Sequence, residues 1–382
     1  MILQDAWLSH SGTQALCAAL AQSGHRVWFV GGCVRNALLG VPVSDIDLAT
    51  DARPDTIIRV AEAAGFRAIP TGIAHGTVTV IAQDRQHEVT TLRRDVATDG
   101  RRAVVAFTDD LALDASRRDF TLNALYALPS GEVIDPLGGM ADVLARKVRF
   151  VGDPHQRIHE DYLRILRFFR FHAVYGDPTG GIDPEGLAAC AELSDGIATL
   201  SGERLGAELR KLLAAANPAP AVAAMAQAGI LTLVLPGADP RALAPLVHLD
   251  GDITPRWQRR LVVLGGSTED LRLSRQEQAE IGHIRDEIAS ALSPAALGWM
   301  LGDIPATDVI LCRAALFETA PPKDWQADVR RGTRSILPIT AADLMPDLHG
   351  PALGARLKSL QSQWLASDLG LDKAALLHGS DD

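Results

Sequence analysis

The chain has 382 residues, a length that predicts about two to four domains. Hydrophobic residues make up 47% of it and aromatic residues only 5%, and the many Ala and Leu favour a helix-rich globular protein. No apolar run reaches the roughly 18 residues of a membrane span, so we expect no membrane partner. A net charge of −10 argues against a surface that binds nucleic acid over its whole extent, because Lys and Arg neutralise phosphates.

The N-terminus and the cysteines indicate a compartment. The opening MILQDAWLSH lacks the basic start and the long apolar stretch of a signal peptide. The cysteines are scattered without CxxC spacing at Cys17, Cys33, Cys190 and Cys312. This pattern predicts reduced thiols and a cytoplasmic location.

Helices and strands alternate in the first part of the chain. The pattern predicts a short helix over residues 13–23, a strand in RVWFVGG, a helical turn in VRNALLG, a strand in SDIDLAT and a helix that begins at Pro54. HGTVTVIAQ and HEVTTLRRD both have period-two patterning and are joined by the polar DRQ, which predicts a hairpin. We therefore expect a mixed sheet.

Helical spacing replaces strand patterning from about Leu144 onward, as in EDYLRILRFFRFHAV and ERLGAELRKLLAAA. Between Arg146 and His172, seven Lys or Arg stand against three Asp or Glu, a local charge of +4. This basic strip is compatible with a focused nucleic-acid or nucleotide site inside an acidic protein.

A glycine pair and two aspartates lie close together in GGCVRNALLGVPVSDIDLAT. Side chains alternate along a strand, so Asp45 and Asp47 are expected on one face. Such carboxylates repel each other unless a cation lies between them, and Mg²⁺ prefers a few carboxylates together with substrate phosphates. Gly31 and Gly32, at a strand-to-helix turn, would let the backbone approach a triphosphate at the helix N-terminus. Alone, each pattern is typical of a surface turn; their ordered combination predicts a nucleotide and metal site.

A third acid, Glu88, lies in the second strand of the predicted hairpin. If that strand neighbours the strand of Asp45 and Asp47, the three acids converge and would hold two metal ions. The alternative is an exposed glutamate of the kind common at strand ends.

Further motifs follow in order: TGIAHGTVTV, RRDFTLNALY, DPLGG, VGDPHQRIHEDYLRILRFFRF and SGERLGAELRKLL. Residues 27–215 therefore resemble the class II tRNA nucleotidyltransferase and bacterial poly(A) polymerase family. The resemblance implies an α+β head of the polymerase-β nucleotidyltransferase type with a mixed sheet, followed by all-α neck, body and tail domains. The implied boundaries are 1–142 for the catalytic head, 143–215 for the neck, which binds the base and RNA, and 216–382 for the body and tail, which bind tRNA.

The same resemblance implies a reaction. An RNA 3′-hydroxyl would attack the α-phosphate of CTP or ATP and release pyrophosphate, with Asp45 and Asp47 as catalytic residues and two Mg²⁺ ions bound by Asp45, Asp47 and Glu88. The implied partners are the acceptor and TΨC arms of tRNA. The oligomeric state stays open.

The resemblance also assigns roles to RRDF and EDYLR. Asp119 would accept hydrogen bonds from ribose hydroxyls. Asp161 and Arg164, three apart on a predicted helix, would form a protein template, because cytosine and adenine share an exocyclic amine beside ring acceptors; an i,i+3 salt bridge is the alternative. The implied nucleotide-binding residues are Gly31, Gly32, Arg35, Arg117, Arg118, Asp119, Asn123, Asp161, Arg164 and Arg167, and the implied RNA-binding residues are Arg157 and Arg170.

The chain departs from the family pattern at Asn36, where an aspartate is usual. Asparagine loses the charge, which puts in doubt the role of that acid as an ion-pair partner for a neighbouring arginine. The segment from Arg93 to Asp110 is polar and poorly periodic. It corresponds to the family's flexible loop, implicated in the switch from C to A addition; a plain surface loop is the alternative.

Within the family, the chain lacks the basic GRRF-like segment that is typical of poly(A) polymerases. We therefore expect CCA addition to tRNA rather than poly(A) addition, while an A-only or C-only enzyme stays open. An RNA-binding protein with an inactive head is expected to lose a metal aspartate or the base-reading pair, and both are present.

Overall fold

The computed structural model describes residues 1–99, 102–345 and 347–378. The chain divides into two compact units, Met1–Glu208 with Pro220–Val234 and Leu209–Ala219 with Leu235–Asp382. The first unit contains the predicted head and most of the predicted neck, and the predicted domain boundaries stay predictions. Over the described ranges, none of the helices has the length and apolar character needed to cross a membrane.

A seven-stranded sheet forms the centre of the first unit. The strands of the described ranges, in this sheet and outside it, are β1 (Val27–Val30), β2 (Ile46–Thr50), β3 (Arg67–Gly72), β4 (Thr77–Ala82), β5 (Arg85–Thr91), β6 (Arg93–Asp99), β7 (Arg102–Phe107), β8 (Tyr126–Ala127) and β9 (Val133–Ile134). Their order in the sheet is β3-β4-β5-β2-β1-β8-β9, and β6 and β7 form a separate pair. Strands β2 and β5 run parallel and the neighbouring β4–β5 pair is the predicted hairpin. The expectation of a mixed sheet is confirmed.

Helices precede, connect and follow these strands. In the first part of the chain they are α1 (Ser11–Gln22), α2 (Gly32–Leu39), α3 (Pro54–Ala63), α4 (Leu111–Ser116), α5 (Met140–Leu144), α6 (Pro154–Glu160), α7 (Leu163–Tyr175), α8 (Pro184–Glu192), α9 (Gly202–Leu213), α10 (Ala219–Gln227) and α11 (Ile230–Val234). The later helices are α12 (Leu243–Asp250), α13 (Trp257–Leu264), α14 (Arg275–Ile288), α15 (Pro294–Leu301), α16 (Asp303–Leu316), α17 (Trp325–Arg334), α18 (Gly350–Ala366) and α19 (Lys373–His378).

Alternation along the strands separates an apolar face of the sheet from a polar one. Leu48 of β2 pairs with Phe29 of β1 and with Val89 of β5, and all three side chains are fully buried. Helices α1 and α3, which contact each other, pack against the sheet. Residues next to these in sequence point to the opposite face, so Asp47 and its register partner Glu88 share the polar face.

The single helix predicted over EDYLRILRFFRFHAV is wrong at its start. Helix α6 ends at Glu160 and α7 begins at Leu163, while Asp161 between them is extended, with φ −159° and ψ 106°. Its carboxylate accepts a hydrogen bond from the backbone N–H of Leu163 at 3.1 Å. Such a bond satisfies a free N–H at the start of a helix and competes with helix continuation. Asp161 and Arg164 therefore do not lie on one helix.

The segment from Arg93 to Asp110, predicted as a loop, contains the paired strands β6 and β7. Arg93 pairs with Phe107 and Asp99 with Arg102; residues 100 and 101 lie outside the described ranges. A two-stranded ribbon takes its hydrogen bonds from the backbone, so a weak sequence period does not exclude it. The loop prediction is wrong for the paired residues, and the role in switching stays a prediction.

The second unit buries a cluster of ion pairs. Arg259 and Arg260 are both fully buried. Arg259 Nη1 donates to Asp308 Oδ1 at 3.0 Å, and Arg260 Nη2 donates to Asp250 Oδ2 at 3.0 Å. Arg260 Nη1 also donates to the carbonyl oxygen of Leu213 at 2.7 Å, near the C-terminus of α9. Charges are tolerated inside a protein when they are paired and hydrogen-bonded in this way.

Candidate active site

A cavity of about 730 Å³ opens where β2 and β5 begin. Its lining includes Asp45, Asp47 and Glu88 together with Asp84 and Arg85. Asp45 directly precedes β2, and Asp47 pairs in register with Glu88 across the parallel strands. The structure therefore brings the three predicted metal ligands to one cavity.

Asp47 carries an uncompensated charge in this cavity. Burial, followed by the nearby carboxylates Glu88 and Asp45, raises the pKa of Asp47 to about 6, although Arg118 opposes the shift. A bound cation would remove the repulsion that contributes to this rise. Asp45 and Asp47 thus fit Mg²⁺, which takes one or two carboxylates and completes its shell with phosphates and water.

The acids that line this cavity are not arranged to enclose a metal ion by themselves. Across the described ranges, no group of three or more His, Cys, Asp or Glu side chains is arranged to hold a metal ion. A magnesium ion here would therefore need oxygens from the substrate. The place of Glu88 as a third ligand stays a prediction.

The glycine pair connects β1 to α2 beside these acids. Gly31 has φ 72° and ψ −119°, and a positive φ favours glycine. A Cβ at Gly31 would lie 3.3 Å from Arg118 Nη1, and one at Gly32 would lie 3.7 Å from Arg35 Nη2. The turn that was predicted to receive a triphosphate is therefore flanked by two guanidinium groups.

A buried carboxylate that the sequence analysis missed, Asp114, holds both arginines of the RRDF motif. Its Oδ1 accepts from Arg117 Nε at 2.8 Å, and its Oδ2 accepts from Arg118 Nη2 at 3.1 Å and from the hydroxyl of Tyr126 at 2.7 Å. Burial opposes ionisation, but Arg118, Arg117 and Tyr126 outweigh it and lower the pKa of Asp114 to about 2. Its spacing of three and four residues from the arginines was a usable helical signal.

Asp119 of the same motif is bound inside the protein. Its Oδ2 accepts from Arg167 Nε at 2.8 Å, and its Oδ1 accepts from Asn123 Nδ2 at 2.9 Å. Burial opposes ionisation, but Arg167 and Asn123 outweigh it and lower the pKa of Asp119 to about 2. The ion pair joins the RRDF motif to α7. The backbone N–H of Phe120 also donates to Oδ1, and Arg167 Nη2 donates to Oδ2. The roughly four acceptor sites of the carboxylate are therefore occupied, and the predicted bonds to ribose hydroxyls, which stay a prediction, would require Asp119 to release one of these donors.

Arg35 of α2 is buried, with 6% of its surface exposed, and its hydrogen-bond partners are neutral. Its Nε and Nη2 donate to Asn36 Oδ1 at 3.1 and 2.8 Å, Nη1 donates to Asn123 Oδ1, and Nη2 donates to the hydroxyl of Tyr175 at 2.7 Å. Burial lowers the pKa of Arg35. The arginine beside Asn36 is thus Arg35 itself, and an amide oxygen binds it without adding charge.

The side chains of Asp161 and Arg164 bind other residues rather than each other. Asp161 Oδ2 accepts from Arg204 Nη2 at 2.7 Å. Arg164 Nη1 donates to Glu160 Oε2 at 2.5 Å, and its Nη2 donates to the carbonyl oxygen of Arg117 at 3.3 Å. The alternative of an Asp161–Arg164 salt bridge is wrong, and the template role stays a prediction. Glu160 was visible in the sequence as an i,i+4 partner of Arg164.

The basic strip is largely neutralised by acids, most of which the sequence count did not include. The pairs are Arg149–Asp142, Lys147–Asp183, Arg157–Glu160, Arg167–Asp119 and Arg170–Glu208. Most of these acids come from outside the strip. The predicted RNA-binding residues Arg157 and Arg170 therefore carry acidic partners, and their RNA contacts stay predictions.

Two family models match separate parts of the chain. Residues 27–149 match the family described as "Poly A polymerase head domain". Residues 181–241 match "Probable RNA and SrmB- binding site of polymerase A".

Curated relatives cover half or nearly all of the chain. It is 45% identical to "CCA tRNA nucleotidyltransferase 1, mitochondrial" of Homo sapiens over 203 residues, which are 53% of this chain and 47% of that protein. The match thus spans about half the length of the human relative. The chain is also 31% identical to a "CCA-adding enzyme" of Levilactobacillus brevis, with 94% of each chain covered.

Solved structures give the same fold. The "CCA-adding enzyme in complex with CTP" of Bacillus stearothermophilus superimposes with a TM-score of 0.73 at 26% identity, covering 96% of this chain and 94% of that one. A Thermotoga maritima CCA-adding enzyme complexed with tRNA superimposes with a TM-score of 0.69 at 17% identity, covering 99% of this chain and 98% of that one. These likenesses show the polymerase-β-type head followed by helical domains.

Proposed function

The chain belongs to the family of CCA-adding enzymes, and from this premise we propose that it adds C, C and then A to the 3′ end of tRNA. The substrates are CTP and ATP, the product besides tRNA is pyrophosphate, and no nucleic-acid template is used. The observation that carries the proposal is the cavity in which Asp47 and Glu88 stand in register, with Asp45 in the same lining. The glycine turn adjoins Asp47 because β1, which ends at Val30, pairs with β2.

The chemistry is a displacement at phosphorus. The 3′-oxygen of the RNA forms a bond to the α-phosphorus while the bond to the pyrophosphate oxygen breaks, so the protein mainly has to position and neutralise charged groups. Mg²⁺ ions bound by Asp45 and Asp47 would supply a lower pKa for the attacking hydroxyl and charge stabilisation for the leaving pyrophosphate. Arg35 and Arg118, on either side of the glycine turn, bind the phosphates.

Asp161 and Arg164 select the base. The carboxylate accepts from the exocyclic amine of cytosine or adenine, and the guanidinium donates to the ring acceptor beside it. Uracil and guanine present a carbonyl where the amine is needed. For this role, the two side chains exchange their partners Arg204 and Glu160 for the base.

We place this reaction in the cytoplasm and take the acceptor and TΨC arms of tRNA as the partner. All four cysteines are free and buried, which suits a reducing compartment. The match to an RNA-binding family over residues 181–241 supports RNA binding close to the neck.

The test is extension of a tRNA that ends at its discriminator base, with Mg²⁺ and all four nucleoside triphosphates supplied, followed by sequencing of the products. Products that end in CCA support the proposal. Products extended by C alone, by a single A or by a run of A each contradict it and identify a C-only enzyme, an A-only enzyme or a poly(A) polymerase. Binding of tRNA without extension identifies an inactive head.

A further inference from the structure

Tyr175 is the last residue of α7 and lies 140 positions after Arg35 in the sequence. We propose that Tyr175 is a positioning residue whose ring and hydroxyl hold the Arg35 guanidinium in the orientation that binds nucleotide phosphates. The inference rests on the proposed function, because it takes Arg35 to bind the triphosphate.

The first step concerns the charge of Arg35. Arginine is almost never this buried unless it is paired, and its planar fork of donors matches a carboxylate best. In the described part of the chain, the hydrogen-bond acceptors of Arg35 are Asn36, Asn123 and Tyr175, and none of these is charged at neutral pH. Among the described residues, no carboxylate is hydrogen-bonded to the guanidinium, and Asp119 attracts it only through space, so Arg35 lacks a strong anchor.

The second step concerns what Tyr175 supplies. Its hydroxyl accepts from Arg35 Nη2 at 2.7 Å, and its ring centroid lies 3.9 Å from the central carbon of the guanidinium. Phe171, one turn earlier on α7, places a second ring 5.3 Å from the same atom. A cation over an aromatic face is attracted to it, so the ring and the hydroxyl together fix both the tilt and the rotation of the guanidinium.

The third step concerns the amide that shares this task. Asn36 Oδ1 receives two donors of Arg35, while its Nδ2 donates to the carbonyl oxygen of Pro42 at 2.9 Å, which fixes the amide orientation. These bonds already have a charged donor, and a carboxylate in place of the amide would add the attraction of an ion pair and could take two parallel donors of the guanidinium fork. An aspartate at this position would lose the bond to the Pro42 carbonyl but would anchor Arg35 by its charge, and the hydroxyl of Tyr175 would become dispensable.

The test compares Tyr175→Phe, Asn36→Asp and the double variant with wild type. KM and kcat are measured for CTP on tRNA lacking CCA and for ATP on tRNA ending in CC, and Kd for CTP and ATP is measured without RNA. We expect Tyr175→Phe to raise KM and Kd for both nucleotides about three- to tenfold, the effect of losing one hydrogen bond of ordinary net strength, with kcat changed by less than about twofold. Adding Asn36→Asp should return KM to within about twofold of wild type.

Two further variants complete the design. Tyr162→Phe is the matched control, because the hydroxyl of Tyr162 bonds to His159 at 3.1 Å and not to Arg35, and its KM values should equal those of wild type. Tyr175→Leu removes the ring as well and should raise KM more than Tyr175→Phe. Equal melting temperatures show that the variants are folded.

Unchanged KM and Kd in both Tyr175 variants would overturn the inference. So would a double variant as impaired as Tyr175→Phe alone, because a general packing defect is not repaired by a carboxylate at position 36. Failure of the proposed function has a different signature: wild type would bind CTP and ATP but extend no tRNA, and the Kd values would still decide the role of Tyr175.

Discussion

At the scale of single residues, the carboxylates of the first unit divide by whether an arginine accompanies them. Asp114 and Asp119 have arginine partners, and the pKa of each is about 2 despite burial. Asp47 is partly buried, and this burial, together with Glu88 and Asp45, outweighs the attraction of Arg118 and raises the pKa of Asp47 to about 6. The first kind of carboxylate fixes other side chains, and the second kind is suited to receive a cation.

The amide variant Asp47→Asn tests this distinction. It removes one of the charges that repel each other in the cavity, so the melting temperature of the metal-free protein should equal or exceed that of wild type. Incorporation of both labelled CTP and labelled ATP should fall by about three orders of magnitude, because several kcal/mol of charge stabilisation are lost. Undiminished incorporation would contradict the metal assignment, and a large drop in melting temperature would contradict the electrostatic argument.

The variant Asp114→Asn should behave in the opposite way. The folded-state pKa of Asp114 is about 2, below the ordinary value of about 3.9, so its ionisation stabilises the fold above pH 4 and that stability is lost as pH falls toward 2. We expect the variant to lose about 2 kcal/mol of unfolding free energy at pH 7, measured with urea. The difference in unfolding free energy between the variant and wild type should become smaller below pH 4. A difference that stays constant with pH would contradict the low pKa assigned to Asp114.

At the scale of elements, one face of α7 joins the predicted neck to the head. Arg164 donates to the carbonyl oxygen of Arg117, Arg167 binds Asp119, and the ring centroid of Phe171 lies 5.0 Å from that of Phe120. These α7 residues are spaced by three and four positions and so share a helix face. The proposed base-reading and phosphate-binding groups therefore depend on the placement of a single helix.

Selectivity should be sensitive to the guanidinium that this helix presents to the base. With Arg164→Lys, the planar fork is lost while the charge stays. We expect kcat/KM for CTP and ATP to fall and their preference over UTP and GTP to shrink by about ten- to hundredfold, measured one nucleotide at a time. Arg149→Lys, whose half-exposed side chain pairs with Asp142, is the control. Unchanged selectivity of the Arg164 variant would remove the template role.

At the scale of the whole molecule, local patterns were predictable and distant partners were not. The hairpin β4–β5 and the helix beginning at Pro54 follow from signals within a few residues. Other partners of the site residues lie far along the chain: 48 residues separate Arg167 from Asp119, and 140 separate Arg35 from Tyr175. Such pairs depend on tertiary packing. The helix break at Asp161 was missed because a side chain there replaces a helical hydrogen bond.

The second unit provides a test of stability that is independent of the chemistry. Asp308 accepts from Arg256 Nε at 2.9 Å and from Arg259 Nη1 at 3.0 Å, and its side chain is fully buried. In Asp308→Ala, Arg259 keeps Asp250 as an acidic partner at 2.6 Å, and Arg256 keeps Glu280 at 3.3 Å. Each arginine loses one of its two acidic partners among the described residues, so we expect the unfolding free energy to fall by about 3 kcal/mol, at the lower end of the range for a broken buried ion pair, measured by urea unfolding.

Two further variants distinguish the effect of ion pairing on stability from the effect of packing. Asp239→Ala breaks the exposed pair with Arg241 and should cost less than about 1 kcal/mol. The double variant Arg259→Met with Asp308→Leu replaces a buried pair by apolar side chains of similar size, and such replacements are about neutral. We therefore expect it to be more stable than Asp308→Ala. If the double variant is as unstable as Asp308→Ala, the lost unfolding free energy comes from packing. The ion pairs would then not explain how this unit tolerates its buried arginines.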